Sequence, residues 1–392
     1  MEYVKLSECA DFSELRTKHI TIENYITTEN MLPNKAGVAL VSSLPAVNSA
    51  SKYEPNDILL SNIRPYFKKI WLADKTGSCS NDVLVIKSKK EYYPPFLYYV
   101  LSDNNFFNYA TVTSKGTKMP RGTPRAIMKY LVPVYPYSTQ QKIANILSAY
   151  DDLIENNNRR IRILEQMAEN LYKEWFVRFR FPGHETTEFE NGLPKGWEIK
   201  RIGNIAEIKS GYAFKSEWWT ESGLPVIKIK DIKNNTIDTN DLSRISKKHS
   251  LLAKQYWVSA GDLLIAMTGA TIGKLAIVPF FQEQLVVNQR VGKFFLGNNP
   301  VATVPFVYYT LQQNWIQELI VMIAGSNAAQ PNISSFDIEK IKIVYNEKTV
   351  DFFNKKVAKI IKKILLLQRK NSTLIKQRDM LLPRLMSGKL EV

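Results

Sequence analysis

The sequence predicts an α+β chain made by tandem duplication: a strand-rich globular unit, a long helix, a second such unit and a second long helix. Three observations carry this. Residues 139–176 read TQQKIANILSAYDDLIENNNRRIRILEQMAENLYKEWF. Ile143, Leu147, Tyr150, Ile154, Ile161, Leu164, Ala168, Leu171 and Trp175 recur in alternating steps of four and three, with Asn157 in the one polar slot. That is a sustained a/d heptad, the mark of a helix packed along another helix. The second observation is the same seam 210 residues later, at Phe353, Val357, Ile360, Ile364, Asn371, Leu374, Arg378, Leu381 and Leu385. Leu367 takes the slot of Asn157, so the polar Asn has moved one step along. Helices in globular domains average about 11–12 residues. Each of these stretches supports about ten turns at 3.6 residues each, with neither Gly nor Pro before Pro383. A seam so long needs a partner of equal length, and the matching helix in the same chain supplies it.

The third observation is that the repeat continues outside the helices. Asn56-Asp57-Ile58-Leu59-Leu60-Ser61 matches Gly261-Asp262-Leu263-Leu264-Ile265-Ala266 at an offset of 205, and Phe96–Leu101 matches Phe306–Leu311 at 210. Tyr130–Val134 matches Lys340–Val344, again at 210, while Leu6 and Ala10 match Ile202 and Ala206 at 196. The drift means that the second copy carries small insertions early on.

In chain order, residues 1–138 form the first unit. Val83-Leu84-Val85-Ile86 and Trp71-Leu72-Ala73 are candidate strands, and Pro94-Pro95 opens a helix. Residues 114–125 (SKGTKMPRGTPR) are a loop by their Gly and Pro content. Lys115, Lys118, Arg121 and Arg125 in it can meet phosphates and base edges. The first long helix and its exit occupy 139–180. Turn signals at Arg178–Gly183 and Asn191–Gly196 lead into the second unit, 181–346. There the stretch around Thr271 and Lys274 is the densest. Residues 325–332, with Asn327 and Gln330, stand where the first copy has its cationic loop. Amides pair with adenine and Arg with guanine, so the two copies are expected to read different bases. The distal helix fills 347–392.

Composition narrows the function. The net charge is +16 and the pI about 9.5, which points to a polyanion, most simply nucleic acid. Between 348 and 384, eleven Lys/Arg face only Asp351 and Asp379, so the distal helix is the basic one. Two cysteines, Cys9 and Cys79, give no disulfide framework and fit a reducing cytoplasm. The first residues lack a signal-peptide run, and no stretch approaches the roughly 20 apolar residues of a membrane span.

Catalytic motifs fail on inspection. Gly269-Ala270-Thr271-Ile272-Gly273-Lys274-Leu275 is one residue short of a phosphate loop, and Leu275 stands where a magnesium-binding hydroxyl is needed. Tyr93-Pro94-Pro95-Phe96 resembles an amino-methyltransferase signature but lacks the side-chain acceptor at its first position. Glu198-Ile199-Lys200 and Glu207-Ile208-Lys209 lack the upstream acid of a nuclease and read better as strands. His19, His184 and His249 are not spaced for a metal.

Gln140-Gln141-Lys142-Ile143-Ala144, the run from Asn158 to Phe176 and Leu381-Leu382-Pro383-Arg384-Leu385-Met386-Ser387-Gly388 together resemble the specificity subunit of type I restriction–modification enzymes, as do 261–273 and Asn288-Gln289-Arg290. The resemblance implies two strand-rich α/β target-recognition domains separated by a pair of long antiparallel helices. It implies no catalytic centre and no cofactor in this chain, because the methyl donor and ATP belong to its partners. Those partners are double-stranded DNA, two methyltransferase subunits docked on the helices, and endonuclease subunits that join the core. The implied target is bipartite, one half for each domain. A helix of about 38 residues spans roughly 57 Å and would set the unread spacer between the halves. A second apolar stripe (Ile146, Leu153 and Met167 on one helix; Ile361, Leu365, Ile375 and Leu382 on the other) is expected to meet the methyltransferase, since a two-helix seam would leave it exposed. The same stripe argues against one other class that fits the charge, a stand-alone DNA-binding regulator; a non-DNA scaffold, its basic charge incidental, stays open.

Overall fold

The computed structural model describes residues 2–233, 235–239, 241–325, 331–390 and 392. They form two compact units: Met1–Ile154 with Leu374–Val392, and Glu155–Thr373. The central helix runs Tyr137–Tyr172 and the distal helix Glu347–Met386. Each unit thus combines one globular body with part of each long helix, instead of dividing at the element limits 138, 180 and 346.

The duplication is explicit in the sheets. In the first unit, strands Ala10–Phe12, Val83–Ser88, Ile58–Ser61 and Ile70–Leu72 lie in that order, all antiparallel. In the second, Glu207–Ser210, Val291–Phe295, Leu263–Ala266 and Leu275–Ile277 repeat it. Tyr3–Lys5 pairs with Leu131–Pro133, just as Glu198–Arg201 pairs with Lys342–Tyr345. A second sheet holds one parallel pair in each unit: Tyr25–Ile26 with Gly77–Cys79, and Leu224–Ile227 with Leu285–Val287. The second unit adds Trp219–Thr220 and Ser243–Ile245 at this sheet's edge. This is one of the early insertions that the drifting offset predicts. Glu198 and Glu207 lie on strands and pair with Lys200 and Lys209, both at 3.0 Å.

The period of two along a strand explains why these strands are apolar on both faces. Ile58, Leu60 and Ile86 turn to one core, with Phe96, Leu97, Leu101, Ile143, Leu147, Leu382 and Leu385. Their neighbours Leu59, Val83 and Val85 turn to a second, with Tyr53 and Met31. Leu263 and Ile265 likewise face Phe306, Tyr309, Tyr172, Phe353, Val357 and Ile361, while Leu264 and Ala266 face Val258, Val287 and Val291.

Within each unit the two helices pack antiparallel. In the first, Asp151 meets Arg378. In the second, Asn157 Nδ2 donates to Asn371 Oδ1 (2.8 Å), and Asn371 Nδ2 donates to Asn158 Oδ1 (2.8 Å). The displaced polar slots of the two heptads therefore satisfy one another, which fixes the register at some cost in stability. Gln140 is buried at the helix start. Its Oε1 accepts from Tyr93 N–H (2.8 Å) and its Nε2 donates to the carbonyls of Tyr135 (2.9 Å) and Glu91 (3.2 Å). Asn346 caps the distal helix by accepting from Thr349 N–H at 3.0 Å. The central helix ends in a π-helical turn, Lys173–Val177, followed by Phe179 in the left-handed region. Among the described residues no helix is long and apolar enough to cross a membrane.

The expected docking stripe needs correction. Ile146, Leu153, Met167 and Ile375 are exposed. Ile361 (2% exposed) and Leu365 (2%) are core residues of the second unit, and Leu382 (4%) is a core residue of the first. The unit's own globular body covers the second stripe of the distal helix. A seam read as a helix pair alone misses that third layer.

Candidate nucleic-acid interface

In the first unit, two loops are stitched side by side. One is residues 62–69, between strands Ile58–Ser61 and Ile70–Leu72. The other is residues 113–123, leading from helix Asn104–Val112 into the short helix Pro124–Ile127. Lys115 and Arg121 exchange both backbone hydrogen bonds at 2.9 Å, closing the turn between them. Arg64 N–H donates to Pro120 O (2.8 Å) and Gly122 N–H to Asn62 O (2.8 Å). Gly122 lets the loops approach closely: a Cβ there would come 2.8 Å from Asn62 Oδ1, and that side chain would have to shift.

The second unit repeats the stitch with other side chains. Gly269 N–H donates to Pro331 O (2.9 Å), Ile333 N–H to Met267 O (3.0 Å), and Thr268 bridges to Asn332. Asn62, Arg64, Pro120 and Gly122 thus correspond to Met267, Gly269, Pro331 and Ile333. Arg64 and Gly269 are both left-handed, at φ 50° and 71°. Such a backbone is free for glycine but costs any other residue about 1–2 kcal/mol.

The side chains on these loops are cationic, aromatic and polar. Lys115, Lys118 and Arg125 are exposed. The Arg121 guanidinium is held 3.2 Å from Asp82, which occupies part of its donor fork. Tyr66 and Phe67 are exposed with rings 4.7 Å apart. Lys274 is exposed and Thr271 half-buried on the second unit's loop. Asn327 and Gln330 lie outside the described residues. Asn62 Oδ1 and Arg64 Nε in one unit, and Thr268 and Thr271 Oγ1 in the other, are sealed from solvent without a hydrogen-bond partner. Buried polar atoms are ordinarily paired. These four atoms fall on the two corresponding loops, beside the exposed cations. Nucleic acid fits: cations for phosphates, and hydroxyl, amide and guanidinium groups for base edges.

Sequence reasoning expected DNA contacts from the 114–125 loop and from Thr271 and Lys274, which the structure places on or beside the stitched loops. It missed residues 62–69, whose Pro-Tyr-Phe content reads as an ordinary turn. It also missed an aromatic plate in the second unit. There Trp218 stacks on His249 (4.4 Å, 7°), and Lys228 Nζ sits 3.7 Å from the Trp219 ring centre. The Lys215-Ser216-Glu217-Trp218-Trp219 run was its available signal. No group of His, Cys, Asp and Glu among the described residues could hold a metal ion.

Comparison with known proteins follows the same lines. The model of the type I restriction modification DNA specificity domain matches residues 7–166 and 194–377. The type I restriction enzyme MjaIX specificity subunit of Methanocaldococcus jannaschii is 29% identical over 307 residues, covering 76% of this chain and 69% of that protein. The HindI specificity subunit of Haemophilus influenzae is 23% identical over 439 residues, covering 93% of this chain and 94% of its own length. The crystal structure of a type I restriction–modification S subunit from M. genitalium has the same fold, with a TM-score of 0.56 at 17% identity over 98% of this chain and 96% of that one.

Proposed function

The chain belongs to the type I restriction–modification DNA specificity family, and from that premise we propose how it reads its target. It is a non-catalytic DNA-recognition subunit with two specificity domains. Each globular body reads one half of a bipartite sequence through its stitched loops. The first uses Lys115, Lys118, Arg121 and Arg125, and the second Thr271, Lys274, Asn327 and Gln330. The observation that carries this reading is the shared backbone stitch with unlike side chains: one platform, used twice, displaying different chemistry.

The exposed apolar positions of the central helix, Ile146 and Leu153 in the first unit and Ile163 and Met167 in the second, dock methyltransferase subunits. Two such subunits are expected, one for each copy, with endonuclease subunits added to that core. A genomic DNA target places the assembly in the cytoplasm.

The test is methylation mapping in cells that express the chain with its methyltransferase partner. Replacing Lys118 and Arg125 by Ala should weaken or relax the first unit's half-site and leave the other half-site unchanged. Where the replaced cation had met a phosphate, the salt slope of binding should also fall by about one. Both half-sites changing together would sink independent readout.

A further inference from the structure

Three cations of the first unit have a left-handed backbone: Lys35 (φ 62°), Arg64 (φ 50°) and Lys68 (φ 53°). Two of them have an evident use inside the protein. The Lys35 ammonium lies 3.6 Å from Asp379, its side chain almost wholly buried. The Lys68 ammonium donates to Asn104 Oδ1 at 2.8 Å. Among the described residues Arg64 alone of the three has no side-chain hydrogen bond or carboxylate partner, and its Nε is sealed without one. Strain observed at a residue without an internal role points to a role outside the protein.

The duplicated unit supplies the control. At the corresponding seat it has Gly269, with the same hand of backbone, the same hydrogen bond to a proline carbonyl, and open space where a side chain would stand. The fold therefore does not need an arginine at this position; glycine serves the loop better. Arg64 is also hemmed in. Pro65 follows it at the start of a 3₁₀ turn, its backbone N–H is tied to Pro120, and the exposed Tyr66 and Phe67 come next along the loop. A planar fork held on a rigid, aromatic-bearing loop suits one base edge better than a diffuse phosphate contact. Its best match is guanine, whose O6 and N7 accept both arms of a guanidinium in the major groove. Arg121, the arginine on the adjoining loop, is already engaged by Asp82.

We propose that Arg64 is the guanine-reading residue of the first unit, and that the second unit, with Gly269 in its place, has no guanine contact at the corresponding position. The assignment rests on the functional reading above, and its test separates the two.

The experiment is methylation mapping of the full chain with its methyltransferase subunit, for wild type, Arg64→Gly and Arg64→Lys. Arg64→Gly installs the residue that the sister loop already uses, so the melting temperature should hold or rise and misfolding cannot mimic the result. One G·C pair in the first unit's half-site should become degenerate, with discrimination there falling by about one to two powers of ten. Arg64→Lys should restore it only partly, because an ammonium cannot make the bidentate contact. The second half-site should stay as it is in every variant.

A bipartite wild-type pattern that Arg64→Gly leaves intact would overturn the Arg64 assignment alone. Uniformly weaker methylation at every site, with unchanged base preference and a shallower salt dependence, would also overturn it, since that is the signature of a phosphate-binding cation. A wild-type chain that directs no bipartite pattern would overturn both the assignment and the reading beneath it.

Discussion

In the first unit, Asp151 of the central helix meets Arg378 of the distal helix. Tyr99 donates its hydroxyl to the same carboxylate at 2.7 Å, and Asp379 holds the other side of the guanidinium at 2.8 Å. In the second unit, the positions 210 residues away hold Ile361, Ala168 and Tyr309, all three almost wholly buried and apolar in contact. One pair of helices therefore fills equivalent seats by opposite means. Burial in the first unit works against the charge on Arg378. The two carboxylates outweigh it and push the guanidinium's pKa further up, so the guanidinium stays charged at every accessible pH. The copies share geometry, not chemistry: a seat between a helix pair and a globular body accepts either a charge network or an apolar contact.

The largest expected effect comes from forcing charge into the dry seat. Ile361→Glu places a carboxylate in the second unit's core without an Arg378 counterpart. It should cost more than about 4 kcal/mol and unfold that unit. Ile146→Glu, on an exposed position of the same kind of helix, should leave the fold intact and abolish co-purification with the methyltransferase. Circular dichroism and pull-down measure the two outcomes. An Ile361→Glu chain that melts like wild type would mean the seats are not distinct.

A smaller effect is expected in the first unit. Arg378→Ala leaves the half-buried Asp151, still bonded to Tyr99, without its cation and should cost about 1–3 kcal/mol. Adding Asp151→Ile, which imports the second unit's Ile/Ala pair, should recover most of that loss in a denaturant melt. A double variant no more stable than the single would show that the two seats cannot exchange chemistry.

The smallest effect sharpens the comparison at Glu165, whose counterpart 210 residues on is the exposed Ile375. Burial raises the Glu165 pKa above its ordinary 4.5. A carboxyl with a raised folded pKa is tolerated while protonated and costs stability as pH rises past its unfolded value. Glu165→Gln should therefore raise the melting temperature at pH 7, and the gain should vanish below about pH 4. A gain independent of pH would assign the effect to something other than the charge.

Much of this fold was legible in the sequence, because a heptad repeated at a constant offset leaves few alternatives. The helix pair and the duplication follow from Ile143–Trp175 and their partners 210 residues on, and the insertions from the shorter offsets of 196 at Leu6/Ile202 and 205 at Asn56/Gly261. The outer stripe was misread at Ile361, Leu365 and Leu382 because periodicity states that a face is apolar and not what covers it. Arg64 was not legible at all: a left-handed φ and an unmatched Nε belong to the folded loop, and Arg-Pro-Tyr-Phe carries no sign of either. Lys115, Lys118 and Arg125 could be named in advance because exposure is the default for cations in a Gly/Pro loop.

The first unit is assembled from two distant stretches of the chain. Leu382, Leu385 and Met386 close a core whose other main residues all precede Ser148, and the Tyr135 hydroxyl reaches forward to the Leu385 carbonyl at 2.8 Å. During synthesis the order of completion is therefore inverted. The second unit is contiguous and can finish once Thr373 clears the ribosome, whereas the first must wait for residues made after it. A premature stop at codon 374 would spare every loop proposed to read DNA and still leave the N-terminal body open, with its apolar strands presented to chaperones and proteases. Quality control acting on that open core would give the cell a proofreading step: only a chain translated through its distal helix yields a complete two-sided reader.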